Sequence, residues 1–484
     1  MDIIESDIKD KVKKAYEDVK DIEVSKADIL ASLEKTNPTQ RDLYNLLSDE
    51  AEDYLEIMAE IAKEKTTRYF GNNVCLFSPI YIANYCENSC RYCGFRAKSD
   101  IKRAKLNYEE IEAEMKALAD TGIEDVLILT GESQKFSSIE YIAEACRIAS
   151  KYFKAIGIEV YPANVADYKV LREAGADFVT VFQESYNPEI YDYYHPYGHK
   201  RSFPYRFDTQ ERALQAGFRG VGFGTLFGLG DPIEEAFKLA IHASEIQKKY
   251  PHAEIAISLP RIRPTHGADD SLKFNIVDDK KFFQIMTAIR IFLPFASITL
   301  STRESKDFRD LAVRYAATKI SASVDTSIGH RSKESHDEGD EQFEIDDARS
   351  TEETFEDLKN LGMTPVFTDY INLWKRRVSD RVRKNFKNQR YFIGKISPNP
   401  RHNPPHSNKY GCKCHIIYES QGDLCSSSRR SGWNCRNVRF IKCKPWKYHK
   451  WKNESYHYCL HESQQEKYSS NNWYGRSGSV YSSL

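Results

Sequence analysis

The chain lacks any run of about 18 apolar residues, the length a membrane-crossing helix needs, so no spanning segment and no membrane partner are expected. Its start, Met-Asp-Ile-Ile-Glu-Ser-Asp-Ile-Lys, lacks the basic-then-apolar layout of a secretory leader. A cytoplasmic location is therefore expected. There thiols stay reduced, so the 11 cysteines do not read as a disulfide framework. Other absences divide the chain. Residues 373–484 contain no Ala, Thr or Met, whereas residues 1–372 contain no Trp. The formal net charge of −1 hides the same boundary. Residues 373–484 hold 23 Lys and Arg against 6 Asp and Glu, a net of +17, and the rest hold 47 against 65, a net of −18. Two unlike polypeptides meet near residues 372–385.

The tail at 373–484 has six cysteines (Cys412, Cys414, Cys425, Cys435, Cys443 and Cys459) but no C-x2-C pair. It also lacks a repeated unit and a sustained apolar period. It reads as an out-of-frame translation or a gene-model error, without an ordered core. The alternative is a basic metal- or nucleic-acid-binding appendage, whose binding would depend steeply on salt. No nucleic-acid partner is expected of the rest.

What is present is concentrated in Asn84-Tyr-Cys-Glu-Asn-Ser-Cys-Arg-Tyr-Cys-Gly-Phe95. Cys86, Cys90 and Cys93 are spaced C-x3-C-x2-C, with the aromatic Tyr92 before the last. A structural zinc site would want a second pair close downstream, and the next cysteine is Cys146. Three thiolates can instead ligate three irons of a cubic [4Fe-4S] cluster and leave the fourth iron open to chemistry. Cys75, inside an apolar run, and Cys146, in a helical stretch, read as small buried hydrophobes.

Residues 1–70 read as a helical extension, with Ile3, Ile4, Ile8, Val12 and Tyr16, then Leu43, Leu46, Leu47, Tyr54, Leu55 and Met58, at helix spacing. From residue 71 onward apolar, β-rich runs alternate with amphipathic helical stretches. The runs fall at Val74–Ile82, Asp125–Thr130, Ile156–Val160, Phe178–Phe182, Gly220–Leu226, Glu254–Leu259, Ser297–Leu300 and Lys319–Ser323. Eight such units predict the α/β class: a parallel (β/α)8 TIM-type barrel over 71–372, with the helical extension before it and the irregular tail after it. Ser350-x-x-Glu353 predicts a capped helix after an acidic loop, 326–350, that would cover the barrel mouth.

Active sites of such barrels lie at the C-terminal ends of the strands. On that rim the sequence places the cysteine loop, Thr130-Gly-Glu132, Gln183-Glu184, Arg261-Ile-Arg263 and Ser301-Thr-Arg303-Glu304. Arg303 and Arg263 suit a substrate carboxylate, Arg303 more so, with Ser301 as a neighbouring donor. One of the two could instead pair with Glu304 or Asp307. Gly222-Phe-Gly-Thr-Leu-Phe-Gly-Leu-Gly230 lacks the strand–turn–helix context of a phosphate loop and suggests close approach of the fifth strand to a ligand. His195 and His199 could reach the mouth or lie on the surface.

The cysteine spacing with its aromatic resembles the radical S-adenosylmethionine (SAM) enzymes. With Arg68-Tyr-Phe-Gly-Asn-Asn-Val74, Pro79-Ile-Tyr-Ile-Ala-Asn84, Phe182-Gln-Glu-Ser-Tyr186, Pro260-Arg-Ile-Arg-Pro264 and Leu300-Ser-Thr-Arg-Glu-Ser305, the chain resembles their tyrosine-lyase branch over about residues 40–372. The resemblance implies a [4Fe-4S] cluster on the three cysteines and SAM as cofactors. It places the SAM amine at Gly131 and Glu132, the ribose at Glu184, and the adenine at Tyr92 and the Phe95 backbone. It implies an external electron donor and cleavage of the Cα–Cβ bond of L-tyrosine, giving p-cresol and 2-iminoacetate (dehydroglycine). Thr364-Pro-Val-Phe-Thr-Asp-Tyr370 resembles the short end of the thiamine-pathway 2-iminoacetate synthase family, with a thiazole synthase subunit as implied partner. The alternative is the hydrogenase-maturation tyrosine lyase, which goes on to carbon monoxide and cyanide and carries a C-x2-C domain that this tail lacks.

Overall fold

The eight apolar runs become eight parallel strands in the computed structural model, which describes residues 3–263, 265, 271–332 and 338–367. They are β1 (Asn73–Ala83), β2 (Asp125–Thr130), β3 (Ala155–Glu159), β4 (Phe178–Thr180), β5 (Gly220–Gly224), β6 (Glu254–Ser258), β7 (Ser297–Leu300) and β8 (Lys319–Ser321). Each pairs with its sequence neighbours, and β1 pairs with both β2 and β8, so the sheet closes into a barrel. Helices fill each crossover, as a parallel pair requires. The predicted tail, 373–484, lies outside the described residues.

β1 runs past its neighbours at the N-terminal end of the barrel. There a ninth strand, β9 (Thr364–Val366), pairs with Asn73–Cys75. A proline inside a central strand normally breaks the ladder. Pro79 is tolerated because β8 stops pairing at Phe77, and the Pro79 carbonyl accepts from Arg331 Nη2 at 3.1 Å.

Four helices precede the barrel: Ile8–Glu17, Lys26–Leu33, Gln40–Leu47 and Leu55–Phe70. Ser25 with Asp28 and Thr39 with Asp42 form capping boxes that start the second and third. Ile8, Val12, Leu43, Leu46, Leu47 and Met58 are buried as their spacing predicts, whereas Ile3 precedes the first helix and is exposed. The extension is fastened to the barrel's helical layer by Gln284 Nε2, which donates to the Leu46 and Ser48 carbonyls at 3.0 and 2.7 Å. No described helix is long and apolar enough to cross a membrane.

The predicted helix after the acidic loop is Thr351–Asn360, with the Ser350/Glu353 capping box in place. The described part of that loop folds over the mouth. Tyr81 Oη donates to Gln342 Oε1 at 2.9 Å, and Phe343 is buried. Asp347 forms an almost fully buried ion pair with Arg309, which anchors the loop to the β7–β8 side.

The glycines of β5 have a different neighbour from the one expected. A Cβ at Gly222 would stand 2.5 Å from Thr180 Oγ1, and one at Gly224 would stand 2.4 Å from the Phe182 ring. They make room for side chains of β4 and its continuation rather than for a ligand.

Candidate active site

A cavity of about 180 Å³ occupies the barrel interior, where a packed core is the rule. Small inward residues leave the space: Ala155 and Gly157 on β3, Thr180 on β4, Ser297, Thr299 and Ser301 on the β7 side. Near the rim it is lined by Tyr81, Glu159, Ser301, Arg303, Gln342 and Phe343.

The cysteine loop leaves β1 at one side of this mouth. Cys90 is buried; Cys86 and Cys93 are half-buried, and all three are free thiols. Arg103 fixes the loop from behind, donating to the carbonyls of Asn84 (2.6 Å), Phe95 (2.9 Å) and Arg96 (2.7 Å). The Cys93 Sγ accepts from Gln342 Nε2 at 3.7 Å. Among the described residues no three His, Cys, Asp or Glu side chains converge on one metal ion. In a cubic cluster each thiolate takes a different corner, so the three need not converge on one ion. Burial, with Glu132 and Cys93 nearby, pushes the Cys86 thiol up to about 11, and burial also drives Cys90 upward. Burial thus favours the protonated form of these two thiols, and a bound cluster would hold them as thiolates. Three soft donors on one loop, one buried and two half-buried, thus suit an iron–sulfur cluster.

The next layer is a closed circuit of charges. Asn88, inside the cysteine loop, donates from Nδ2 to Glu132 Oε2 at 2.9 Å, and its Oδ1 accepts the Lys200 N–H at 2.9 Å. Glu132 Oε1 accepts from Arg206 Nη1 at 2.8 Å. Glu184 Oε1 accepts from Lys200 Nζ at 2.6 Å and lies 3.6 Å from Arg206 Nη2. Burial alone would raise both carboxyls. Arg206 and Lys200 outweigh it, and both are held below the ordinary carboxylate range.

Backbone geometry sets the two acids. A Cβ at Gly131 would stand 2.3 Å from the Tyr85 carbonyl oxygen, so only glycine lets β2's end pass under the cysteine loop and deliver Glu132. Glu184 itself has φ +68°, a strained value for a residue with a side chain. Its carbonyl accepts from the Leu226 N–H and the Thr225 hydroxyl. The buried Glu235 carboxyl accepts the Ser185 hydroxyl and the Tyr186 N–H at 2.7 Å and lies 2.9 Å from the Thr225 hydroxyl, which locks that turn.

Tyr92 is buried, and its hydroxyl meets His195 Nε2 at 2.9 Å. His195 Nδ1 faces the Tyr191 carbonyl at 2.7 Å, which can only accept. The proton therefore sits on Nδ1, and Nε2 accepts from Tyr92. Burial, then Lys200, keeps this imidazole neutral. His199 instead is exposed, 3.6 Å from Glu87. Phe95 is buried edge-on to Tyr81, with ring centroids 6.0 Å apart.

The two candidate arginines part company. Arg263 lies 3.7 Å from Glu304 and 3.5 Å from Asp346, so its carboxylate partners are supplied by the chain. Arg261, placed on the rim by the sequence but not among the carboxylate-binding candidates, pairs with Glu304 and Asp279. The Arg303 guanidinium stacks 3.4 Å above the Phe343 ring and has no acid within ion-pairing distance among the described residues. Ser301 Oγ accepts the backbone N–H of Arg303 at 3.4 Å and lines the same cavity. Cys146 is buried as expected, whereas Cys75 is half-buried and lines the far end of the cavity. Sequence reasoning missed Asn88, Glu159, Lys200 and Arg206. For Lys200 and Arg206 the available signal was the polar stretch between β4 and β5, longer than a simple crossover; for Glu159 it was its place at the end of the third apolar run.

Residues 80–240 match the model of the radical SAM superfamily, and residues 258–364 match that of the biotin and thiamin synthesis associated domain. A 2-iminoacetate synthase of Salmonella typhimurium is 35% identical over 354 residues, covering 73% of this chain and 93% of that protein. A 2-iminoacetate synthase of Escherichia coli is 34% identical over 357 residues, covering 74% and 93%. The X-ray structure of the FeFe-hydrogenase maturase HydG from Carboxydothermus hydrogenoformans superposes with a TM-score of 0.70 at 30% identity, covering 76% of this chain and 86% of that one.

Proposed function

The chain belongs to the 2-iminoacetate synthase family of radical SAM enzymes, and on that premise we propose that it cleaves the Cα–Cβ bond of L-tyrosine to 2-iminoacetate and p-cresol. Cys86, Cys90 and Cys93 would hold a [4Fe-4S] cluster; Glu132 would meet the amine of SAM, Glu184 its ribose, and Tyr92 with the Phe95 backbone its adenine. The chemistry supplied by such a cluster with SAM and an external electron donor is a 5′-deoxyadenosyl radical that takes a hydrogen atom. The chain's own residues do the placing. Arg303 receives the substrate carboxylate, with Ser301 as a second donor, and the apolar walls of the barrel exclude water from the reacting fragment.

One observation carries this reading: Arg303, without an acid partner among the described residues, faces the cavity at the same mouth as the cysteine loop. Arg263, already between two carboxylates, supports Arg303 by holding Glu304 and Asp346 rather than by touching substrate. The thiazole synthase subunit of the thiamine pathway is the partner that would consume 2-iminoacetate.

The test is anaerobic reconstitution, then SAM, reductant and tyrosine. Deoxyadenosine, p-cresol and glyoxylate, the hydrolysis product of 2-iminoacetate, are expected in equal amounts. Added carbon monoxide and cyanide would move the chain to the maturation reading, and no deoxyadenosine at all would overturn the enzyme reading. A chain ended after residue 385 should give the same yield, because the tail has no part in the reading. Arg303→Lys keeps the charge but loses the paired N–H geometry. It should raise the tyrosine KM by roughly 10- to 100-fold, the worth of a charged hydrogen-bond pair. An unchanged KM would assign the carboxylate to another group.

A further inference from the structure

Glu159 ends β3, with its side chain on the inward face that Ala155 and Gly157 also occupy. Below it those small residues leave the cavity open; around it stand Tyr81, Gln342 and Phe343. Among the described residues its carboxylate makes no hydrogen bond and no ion pair, whereas the acids at the neighbouring strand ends are engaged: Glu132 and Glu184 with Lys200 and Arg206, Glu304 with Arg261. An unpartnered carboxylate in an enclosed site costs free energy unless a cation arrives.

Across the barrel is its complement. In a ring ordered β1 to β8, β3 and β7 are four strands apart and face each other. Arg303 follows β7 and, like Glu159, has no ion-pair partner among the described residues. The two line one cavity without forming an ion pair with each other. An acid and a guanidinium held apart over one cavity are complementary to a zwitterion, not to a simple carboxylic acid.

We propose that Glu159 receives the α-ammonium group of the amino-acid substrate while Arg303 receives its carboxylate. This rests on the function proposed above and adds to it the group that distinguishes an amino acid from its deaminated analogue. The charges bearing on Glu159 come from Glu184 at the end of β4, Arg303 after β7, and Lys200 and Arg206 of the segment between β4 and β5; Tyr81 on β1 borders the same space. Burial, then Glu184, raises the Glu159 carboxyl to about 7, against the pull of Arg303. An arriving ammonium would favour the ionised form, so amino-acid binding weakens as pH falls through about 7.

The experiment measures equilibrium binding to the reconstituted, SAM-loaded protein with two probes: L-tyrosine and 3-(4-hydroxyphenyl)propanoate, which lacks only the amino group. Wild type should prefer tyrosine, and the preference should shrink as pH is lowered through about 7. Glu159→Gln, nearly isosteric, should weaken tyrosine roughly 10- to 100-fold and leave the analogue nearly unchanged, removing both the preference and its pH dependence. Equal weakening of both probes, or of neither, overturns the assignment. So does a wild-type preference that does not respond to pH. Deoxyadenosine release with tyrosine by wild type is the separate control: if wild type releases none, the tyrosine-lyase reading fails; if it does and the variant keeps its preference, only Glu159 fails.

Discussion

Cys90→Ala is expected to reduce SAM cleavage to the level of the cluster-free protein. Cys90 is the buried member of the trio, packed with Tyr92, Tyr194, Leu226 and Leu229 in a small apolar cluster beside the main core. Its two companions lie nearer the loop surface, so a cluster kept by them alone would be open to solvent on the side that Cys90 closes. Losing an outer hydrogen-bond partner of a metal ligand costs about 10- to 100-fold. Losing a ligand of a three-cysteine set should exceed that. The fold should survive, because Arg103 holds the loop through three backbone carbonyls and none of those contacts involves the Cys90 side chain. The check is therefore double: iron content and visible absorbance after reconstitution should fall, while the thermal unfolding midpoint of the metal-free protein moves little. Full deoxyadenosine formation in Cys90→Ala would remove Cys90 from the ligand set. The same substitution at Cys146, buried in its helix, should leave iron loading unchanged.

The barrel was legible because its strands are buried on both faces and read as continuous apolar runs, with turn signals between them. Parallel connectivity and strand order follow from the alternation with helices. Rim placement of the cysteines, Glu132, Glu184, Ser301 and Arg303 came from the same rule. What escaped were residues whose role exists only once the barrel closes. Lys200 and Arg206 lie in a polar stretch that could have been any surface loop. They become buried because Glu132 and Glu184, separated by most of two β–α units, need counter-charge. His195 and His199 are four residues apart in one loop, yet one is a neutral core acceptor for Tyr92 and the other faces solvent. Nothing local distinguishes them. Arg263 and Arg303 present the same pattern of a cation at a strand end, and only the positions of Glu304 and Asp346 separate the engaged one from the available one.

Arg206→Met tests that circuit, and it should be among the most destabilising single changes at the mouth. The guanidinium is buried, donates to two acceptors, the Phe182 carbonyl at 2.6 Å from Nε and Glu132 at 2.8 Å, and forms an ion pair with Glu184 at 3.6 Å. Methionine has similar bulk, so packing is largely kept and the effect reports the charge. Removing one partner from a buried ion pair costs roughly 3–5 kcal/mol, because the other charge is left without compensation. Lys200 still faces both acids, which argues for the lower end. An exposed pair would cost about 1 kcal/mol at most, so the denaturant midpoint at constant m-value decides between the two. The pH dependence has a definite sign. Glu132 and Glu184 are held below their unfolded value of about 4.3, so the stability they contribute is fully present above it and is lost as pH falls through the lower folded values. Without Arg206 those folded values rise toward or past the unfolded one. The loss of stability on acidification should then begin at higher pH in the variant, and SAM should bind more weakly because both acids that would orient it are no longer held. Arg206→Lys should fall between, restoring charge but not the second and third contacts. If Arg206→Met unfolds with the wild-type midpoint and the wild-type acid limb, the circuit contributes nothing to stability, and the depressed carboxyls must be attributed to Lys200 alone.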